Sequence, residues 1–409
     1  MLNAPTPHLL TDMAGIPPQM MKPAMSVSLS PILWVKQLAA IRLGCIQPPP
    51  SRWLSCKRGR ATSLLREFHV NAKRQTQSGL SLIELMISIT LGLIILSALT
   101  TLFVNQSKAR AELDKSNRMI DNGRYALETL AEDLKLAGFY AGLDTTSLAL
   151  PTAAQANPCS TTMSDIKAAL PLHIQGYNAV NATVAATAPP ACLPATLKAG
   201  SDILVVRRVD TSAAVAQAAA VNGTPYLQTN VCQYDALTHI LDNTPASFTL
   251  HQMNCPFGIL PATGPYTSLR RMMVHIYFID SNNQAGDGIP TLKRMELSAT
   301  STMDNSTIVP LVEGIEFMQI DYGQDTNNDG AVENYITVPA LADWPNIMSV
   351  KLNIVARNID STAGYTDTKT YALGGSPAIT FTPAAGDHYK RHAYTQVVRL
   401  VNPSGRRAP

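Results

Sequence analysis

Residues 80–104 read LSLIELMISITLGLIILSALTTLFV, the longest apolar run of the sequence. Its 25 residues contain one charged side chain, that of Glu84. As a helix rising about 1.5 Å per residue, the stretch spans on the order of 37 Å, enough to cross a bilayer core of roughly 30 Å with some tilt. A buried helix of a soluble protein does not need so long an uncharged run. We therefore expect a transmembrane helix.

The charge on either side of this run predicts its orientation. Residues 1–79 carry four Lys and six Arg against Asp12 and Glu67, a net charge of +8, so the rest of the chain carries −5. Positive charge collects on the cytoplasmic side of membrane helices, which places the N-terminal side in the cytoplasm and the body outside it. The acidic body leaves no basic face for nucleic acid, and we exclude that class of partner.

A second apolar pattern follows the membrane run. Leucine or isoleucine recurs every seven residues, and a small or apolar residue follows three residues after each: Leu113, Ile120, Leu127 and Leu134, then Ser116, Gly123, Leu130 and Ala137. One apolar seam with charged residues off it predicts an amphipathic helix. We assign it to residues 105–142 as the second half of the same helix: the membrane helix runs on, after a polar stretch at 105–108, and ends near Gly138 or Gly142.

The residues around the start of the membrane run carry a recognisable signal. Lys73 and Arg74 precede Gly79, Leu80 follows it, and Glu84 is the fifth residue after the glycine. This arrangement resembles the class III signal of type IV prepilins and pseudopilins, although most members carry Phe where this chain has Leu80. The resemblance implies that prepilin peptidase cuts after Gly79 and methylates Leu80. It also implies that Glu84 pairs with the N-terminal amine of a neighbouring subunit.

Residues 1–79 are interpreted as a leader that is removed. Prepilin leaders are normally short, and Val70 begins a ten-residue leader that ends at Gly79. Two interpretations of residues 1–69 stay open: a wrongly assigned translation start, with Val70 as the true one, and a disordered cytoplasmic extension. Either excludes these residues from the fold.

Residues 143–409 are interpreted as a β-rich globular domain. Alternating apolar and polar residues, bounded by Gly, Asn and Asp clusters, predict seven strands at 202–209, 247–252, 271–280, 292–298, 314–322, 347–357 and 394–402. One antiparallel sheet layered on the long helix is the simplest arrangement, so the predicted fold class is α+β.

Three stretches of this domain, at 312–322, 343–352 and 399–402, resemble the PilW family of minor pilins and, more distantly, J-type minor pseudopilins. With the N-terminal signal, the resemblance covers most of residues 70–402 and implies a pilin-like fold. The loops between 145 and 265 resemble no known family.

Four cysteines lie in the exported domain, where disulfides are expected. They are Cys159, Cys192, Cys232 and Cys255, and no C-x-x-C spacing occurs among them. Three pairings are open. We favour the sequential one, Cys159 with Cys192 and Cys232 with Cys255, because each bond closes a loop in the part of the chain with the least periodic pattern.

One loop has the residue types of a calcium site. Side-chain oxygens at its first, third, fifth and ninth places and a backbone carbonyl at its seventh suit a hard cation, and these places are held by Asp325, Asn327, Asp329, Glu333 and Ala331. Ile336 stands where an EF-hand has its bidentate Glu, which excludes an EF-hand. Two interpretations remain: a lone Ca²⁺ loop, and a solvated turn between strands. We expect no other cofactor.

No sequence signature of a hydrolase, a metalloprotease or a nucleotide-binding enzyme occurs in the body, and we expect no enzymatic activity. The resemblance implies a minor pilin that primes the type IV pilus and lies at or near its tip, supporting twitching motility and adhesion. Its implied partners are other minor pilins, the major pilin, a tip adhesin, prepilin peptidase and the inner-membrane assembly platform. The implied location is the inner membrane, with a periplasmic body, and then the pilus at the cell surface. Two alternatives are a type II secretion pseudopilin and a membrane-anchored adhesin.

Overall fold

The computed structural model describes residues 79, 81–151, 155–178, 187–256 and 264–407. Predictions that concern residues 1–78 and Leu80 therefore lie outside the described residues. Three α-helices occur in this part of the chain: α1 Leu82–Leu136, α2 Met163–Ala168 and α3 Val401–Arg407. The strands are β1 Ile174–Tyr177, β2 Ile203–Val209, β3 Tyr226–Thr229, β4 His239–Asp242, β5 Arg270–Asp280, β6 Thr291–Glu296, β7 Ile308–Glu313, β8 Ile315–Gln324, β9 Asn334–Ile336, β10 Ile347–Arg357, β11 Tyr371–Ala372, β12 Thr380–Phe381 and β13 Arg391–Arg399.

Helix α1 runs without interruption for 55 residues. At about 1.5 Å per residue it is roughly 80 Å long. It continues through the polar stretch at 105–108, as the sequence predicts, because an isolated Asn or Ser costs less than about 0.7 kcal/mol in a helix, too little to interrupt one this long. The helix ends earlier than residue 142. Gly138 takes a left-handed conformation (φ 69°), and its N–H donates to the carbonyl of Arg207 at 2.9 Å.

Two sheets, rather than the single predicted sheet, pack with the second half of α1. The larger has seven strands in the path β1-β2-β5-β3-β4, and β6 and β7 continue from β5. The smaller has the order β13-β10-β8-β9, and β11 and β12 form a separate hairpin. Every pairing between these strands is antiparallel. The α+β fold class is confirmed.

The sheets and the helix share the main core. Leu130 and Leu134 of α1 are fully buried there with residues of both sheets, such as Leu204 and Leu352. A second core fills the opposite face of the larger sheet, around Phe278. Because one helix face is buried by both sheets, the position of α1 is fixed by the whole body rather than by one strand.

Most predicted strands match observed ones, and two differ. Residues 247–252 form no strand: Pro245–Ser247 is a 3₁₀ turn, and His251 makes only an isolated bridge to Tyr266. The last predicted strand lies three residues earlier, at Arg391–Arg399, and its predicted end belongs to α3. The short strands β1, β3, β4, β9, β11 and β12 were not predicted, because two to four residues are too few to show a period. The six-residue strand β7 was not predicted either, since Pro310 within it argues against a strand.

Candidate functional site

The first half of α1 is the largest exposed apolar surface of the described chain. Every residue from 81 to 111 is exposed, including the leucines and isoleucines of the membrane run. By length and composition α1 is the one helix in the described ranges that could cross a membrane, and none of its most apolar window is buried. Such a surface must be covered by lipid or by other apolar helices.

Glu84 lies in the first turn of this exposed half. Among the described residues, no cationic side chain lies within 4 Å of its carboxylate. Gly79 is exposed, as a cleavage site requires. Leu80, Lys73 and Arg74 lie outside the described residues, so the processing site stays a prediction.

The second half of α1 is fixed to the body through polar contacts as well as apolar ones. Glu112 accepts hydrogen bonds from Lys390 at 2.9 Å and from the Thr362 hydroxyl at 2.8 Å. These bonds, those from Lys390 first, lower the pKa of Glu112 to about 2. The Asn122 side chain donates to the carbonyl of Glu313 at 3.0 Å. The seam predicted from Leu113 is buried only from Met119 onward, and Leu113 itself is 62% exposed.

A buried ionic cluster, which no sequence pattern indicated, lies under the end of α1. Asp133 accepts from Arg208 at 2.7 Å, from His275 at 2.7 Å and from the Tyr277 hydroxyl at 2.9 Å. Burial alone would raise the pKa of the Asp133 carboxyl, but the bond from His275 and the charge of Arg208 outweigh it and hold that pKa well below its usual range. The cluster lies among structural side chains, so we assign it to holding α1 on the larger sheet.

Arg391 forms a second buried cluster near the C-terminus. Its guanidinium pairs with the carboxylates of Glu316, Asp367 and Asp387 at 2.5–3.1 Å. Burial alone would lower the pKa of Arg391. The hydrogen bonds to Asp387 and Glu316 outweigh burial and raise that pKa above its usual value. The Arg391 guanidinium is thus fully used in holding the body together.

The four body cysteines form two disulfides with the sequential pairing. Cys159 is bonded to Cys192, and Cys232 to Cys255, with Cα–Cα distances of 5.6 and 6.0 Å. They close loops in the region between 145 and 265. The strands nearest to these loops are short. The two disulfides therefore restrain segments of backbone that strand pairing alone does not hold.

The candidate calcium loop joins β8 to β9. One carboxylate oxygen from each of Asp325, Asp329 and Glu333 lies within 4.8 Å of the others. Asp325 is buried and accepts from the backbone N–H groups of Asn328 and Gly330 at 2.6 and 2.9 Å. Asn328 and Gly330 have positive φ, which gives the sharp turn that the sequence predicted.

The donors of this loop fit a hard cation in type, but they already have hydrogen-bond partners. Glu333 accepts from the Thr326 N–H at 2.7 Å, and the Asn327 oxygen accepts from the Asp329 N–H at 3.0 Å. Arg407 lies 3.3 Å from the second oxygen of Asp325. The loop geometry is therefore compatible with a Ca²⁺ ion and with a self-sufficient turn, and the Ca²⁺ site stays a prediction.

Two family models match the chain. Residues 74–100 match the prokaryotic N-terminal methylation motif, and residues 276–402 match the family described as type IV pilus-assembly protein W. No curated protein matches. A type IV-like pilin from Thermus thermophilus aligns over 70% of this chain and 97% of its own at 10% identity, with a TM-score of 0.30, too low to support an argument. The methylation motif thus lies on the exposed helix, and the region similar to type IV pilus-assembly protein W lies in the body that holds this helix.

Proposed function

We propose that this protein is a minor pilin of the PilW family, belongs to a type IV pilus, helps to prime its assembly and lies at or near its tip. The observation that carries the proposal is the form of α1. Its first half is apolar and exposed on all sides, and its second half is built into the body without a break. A subunit of this form can exchange lipid for the helices of its neighbours without refolding.

The same helix supports the proposed route. Its first half would span the inner membrane with the N-terminus in the cytoplasm and the body in the periplasm, the orientation that the charge asymmetry favours. After cleavage at Gly79, the subunit would move sideways into a bundle of equivalent helices. The partners would be other minor pilins, the major pilin and the assembly platform, with prepilin peptidase acting first and a tip adhesin above.

Glu84 supports a position below the top of the filament. A carboxylate in a lipid or helix environment costs on the order of 2.5–3.5 kcal/mol unless a cation lies near it. The free amine of the next mature subunit would supply that cation. A subunit with no neighbour above it has no such amine and no use for the carboxylate, so the presence of Glu84 supports a place that is not the topmost.

The role proposed here is structural and not enzymatic. The two buried ionic clusters are used in packing. Described His residues bond to separate partners, such as His275 to Asp133 and His388 to the carbonyl of Tyr365. Adhesion and twitching motility would then depend on this protein through the pilus that it helps to assemble.

A deletion strain separates this proposal from its alternatives. We expect loss of surface pili and of twitching, with type II secretion unchanged, and recovery of both by the full chain supplied in trans. Loss of secretion with normal pili would instead indicate a pseudopilin. Normal piliation and secretion with reduced attachment would indicate a membrane-anchored adhesin. A cluster of small prepilin genes around this one would agree with the first outcome.

A further inference from the structure

Strand β13 is the outer strand of the smaller sheet and runs beside α1 in the same direction. Three contacts of β13 and the residues that flank it show this direction, because later residues of the strand meet later residues of the helix. They join Lys390 to Glu112, Tyr394 to Gly123, and Asn402 to Lys135. The inner side of β13 pairs with β10 over nine residues without a register shift. The outer side is therefore a straight edge that follows the helix.

The register shows which backbone groups point outward. Asn358 donates to Lys390 at one end of the pair, and Leu400 donates to Met348 at the other. Hydrogen-bonded and non-bonded pairs alternate in an antiparallel ladder. The odd-numbered residues of β13, which include Ala393, Thr395 and Val397, thus direct their N–H and C=O groups away from β10.

These outward groups have no partner in the described part of the chain. No backbone or side-chain hydrogen bond reaches the main-chain N–H or C=O of Ala393, Thr395 or Val397 there. The other outer strands of the two sheets in the described ranges are shorter, with three to six residues, and the longest of them, β7, contains Pro310. An open, proline-free edge of nine residues is a ready template for an added strand.

The side chains of the edge favour a particular occupant. Val397 lies in the C-terminal half of β13, and its side chain is 54% exposed. A β-branched side chain of this kind suits an apolar pair with a residue on a neighbouring strand. Arg399 is exposed, and its guanidinium bonds to the Ser404 hydroxyl at 2.9 Å rather than to a carboxylate. An acidic residue on the added strand would complement it.

A second copy of this chain, paired antiparallel through β13, fits poorly. Antiparallel pairing of β13 with itself reverses the strand, and because β13 runs with α1, it also reverses the helix. The apolar halves of the two copies would then point in opposite directions and could not enter the same membrane. This exclusion rests on the membrane insertion proposed above.

We propose that the outer edge of β13 binds an extended strand of a different protein, apolar and β-branched opposite Val397 and acidic opposite Arg399. The added strand lies antiparallel to β13 and beside the second half of α1. It completes the smaller sheet and gives the odd-numbered backbone groups their partners.

The test uses the full mature chain in detergent micelles and the nonapeptide Glu-Thr-Val-Ser-Ile-Thr-Val-Ser-Glu. We expect saturating peptide to slow amide exchange at Ala393, Thr395 and Val397 at least tenfold. The amides of Tyr394 and Gln396, which already bond to β10, should change less than twofold. A peptide with Pro at its centre should not protect, and one with Lys in place of both Glu should bind at least fivefold more weakly.

Variants separate the backbone from the side chains. Val397→Pro removes one outward N–H without removing a bond to β10, and should weaken binding at least tenfold. Val397→Thr keeps the N–H and the branched shape, and should bind within about twofold. Arg399→Glu should reverse the preference between the Glu-ended and Lys-ended peptides, which still decides the matter if Val397→Pro does not fold.

Three results overturn the proposal: binding without protection of the odd-numbered amides, equal binding of the Pro-containing peptide, or protection of those amides without peptide in a dimer of the chain. None of these measurements requires pilus assembly. The strand-binding proposal and the pilus proposal can therefore fail independently.

Discussion

At Glu84 one carboxylate decides whether the exposed helix associates through charge or only through apolar contact. We expect Glu84→Ala to leave cleavage at Gly79 intact, because the peptidase mainly recognises Gly79 and the leader. It should reduce piliation and recovery of partner minor pilins. Glu84→Gln keeps the size and loses the charge, so it should behave like Glu84→Ala. Wild-type piliation in both variants, counted on sheared and stained pili, would mean that no amine pairs with this residue.

At Asp325 the question is whether the loop binds an ion. If Asp325, Asp329 and Glu333 hold Ca²⁺, a hundredfold excess over Kd should stabilise the protein by about 2.7 kcal/mol. Calorimetry in millimolar Ca²⁺ and in EDTA measures this difference as a shift in Tm. Asp325→Ala combined with Asp329→Ala should remove it. Equal Tm values for the wild-type protein in both buffers would show that the loop is only a turn.

At His173 a buried ring should make the body sensitive to acid. Burial, with the nearby charges of Arg406 and Arg407, lowers the pKa of His173 to about 4. The unfolded chain binds this proton near pH 6.5 and the folded chain does not, so the free energy of unfolding falls as pH drops from 6.5 to 4, by roughly 3 kcal/mol. His173→Gln keeps a donor for the carbonyl of Ile347 but does not titrate. Urea titrations across this range should show a shallower pH dependence for the variant, and an unchanged slope would contradict this account.

At the scale of elements, the contact of α1 with β13 depends on Gly123, which has no side chain to separate the helix from the strand. A Cβ on Gly123 would lie 2.3 Å from the Tyr394 ring. Gly123→Val should therefore push the helix away from the smaller sheet and cost on the order of 1–3 kcal/mol. Gly405→Ala is the control, since its Cβ would meet no atom within 4 Å. Thermal unfolding compares the two, and a loss no larger for Gly123→Val than for the control would contradict close packing here.

The elements also show what the sequence could and could not predict. Helix α1 and the long strands β5 and β10 were predictable. A long apolar run, or several alternations between apolar and polar residues, is compatible with only one type of secondary structure. The Asp133 cluster was not, since Arg208 and His275 come from strands far away in sequence, and a charged residue on a helix normally faces solvent. The division into two sheets also escaped prediction, because alternation shows that a strand has a buried face and not which neighbour covers it.

At the scale of the whole molecule, the chain combines an exposed first half of α1 with a body that is folded around the second half of the same helix. Two disulfides, two cores and two buried ionic clusters hold the body around the end of α1. The long continuous run of exposed apolar residues lies in the first half of the helix. The body can therefore stay folded while that half passes from lipid to a bundle of helices, which is what a filament subunit requires.

The most direct test of this account is the N-terminal peptide of the protein recovered from sheared, purified pili. Mass spectrometry should find a chain that begins at Leu80 and carries one methyl group on its amine, and Gly79→Val should leave an unprocessed protein in the membrane and none in pili. A pilus-borne chain that retains Lys73 and Arg74, or a mature protein that is never found in pili, would contradict the central claim.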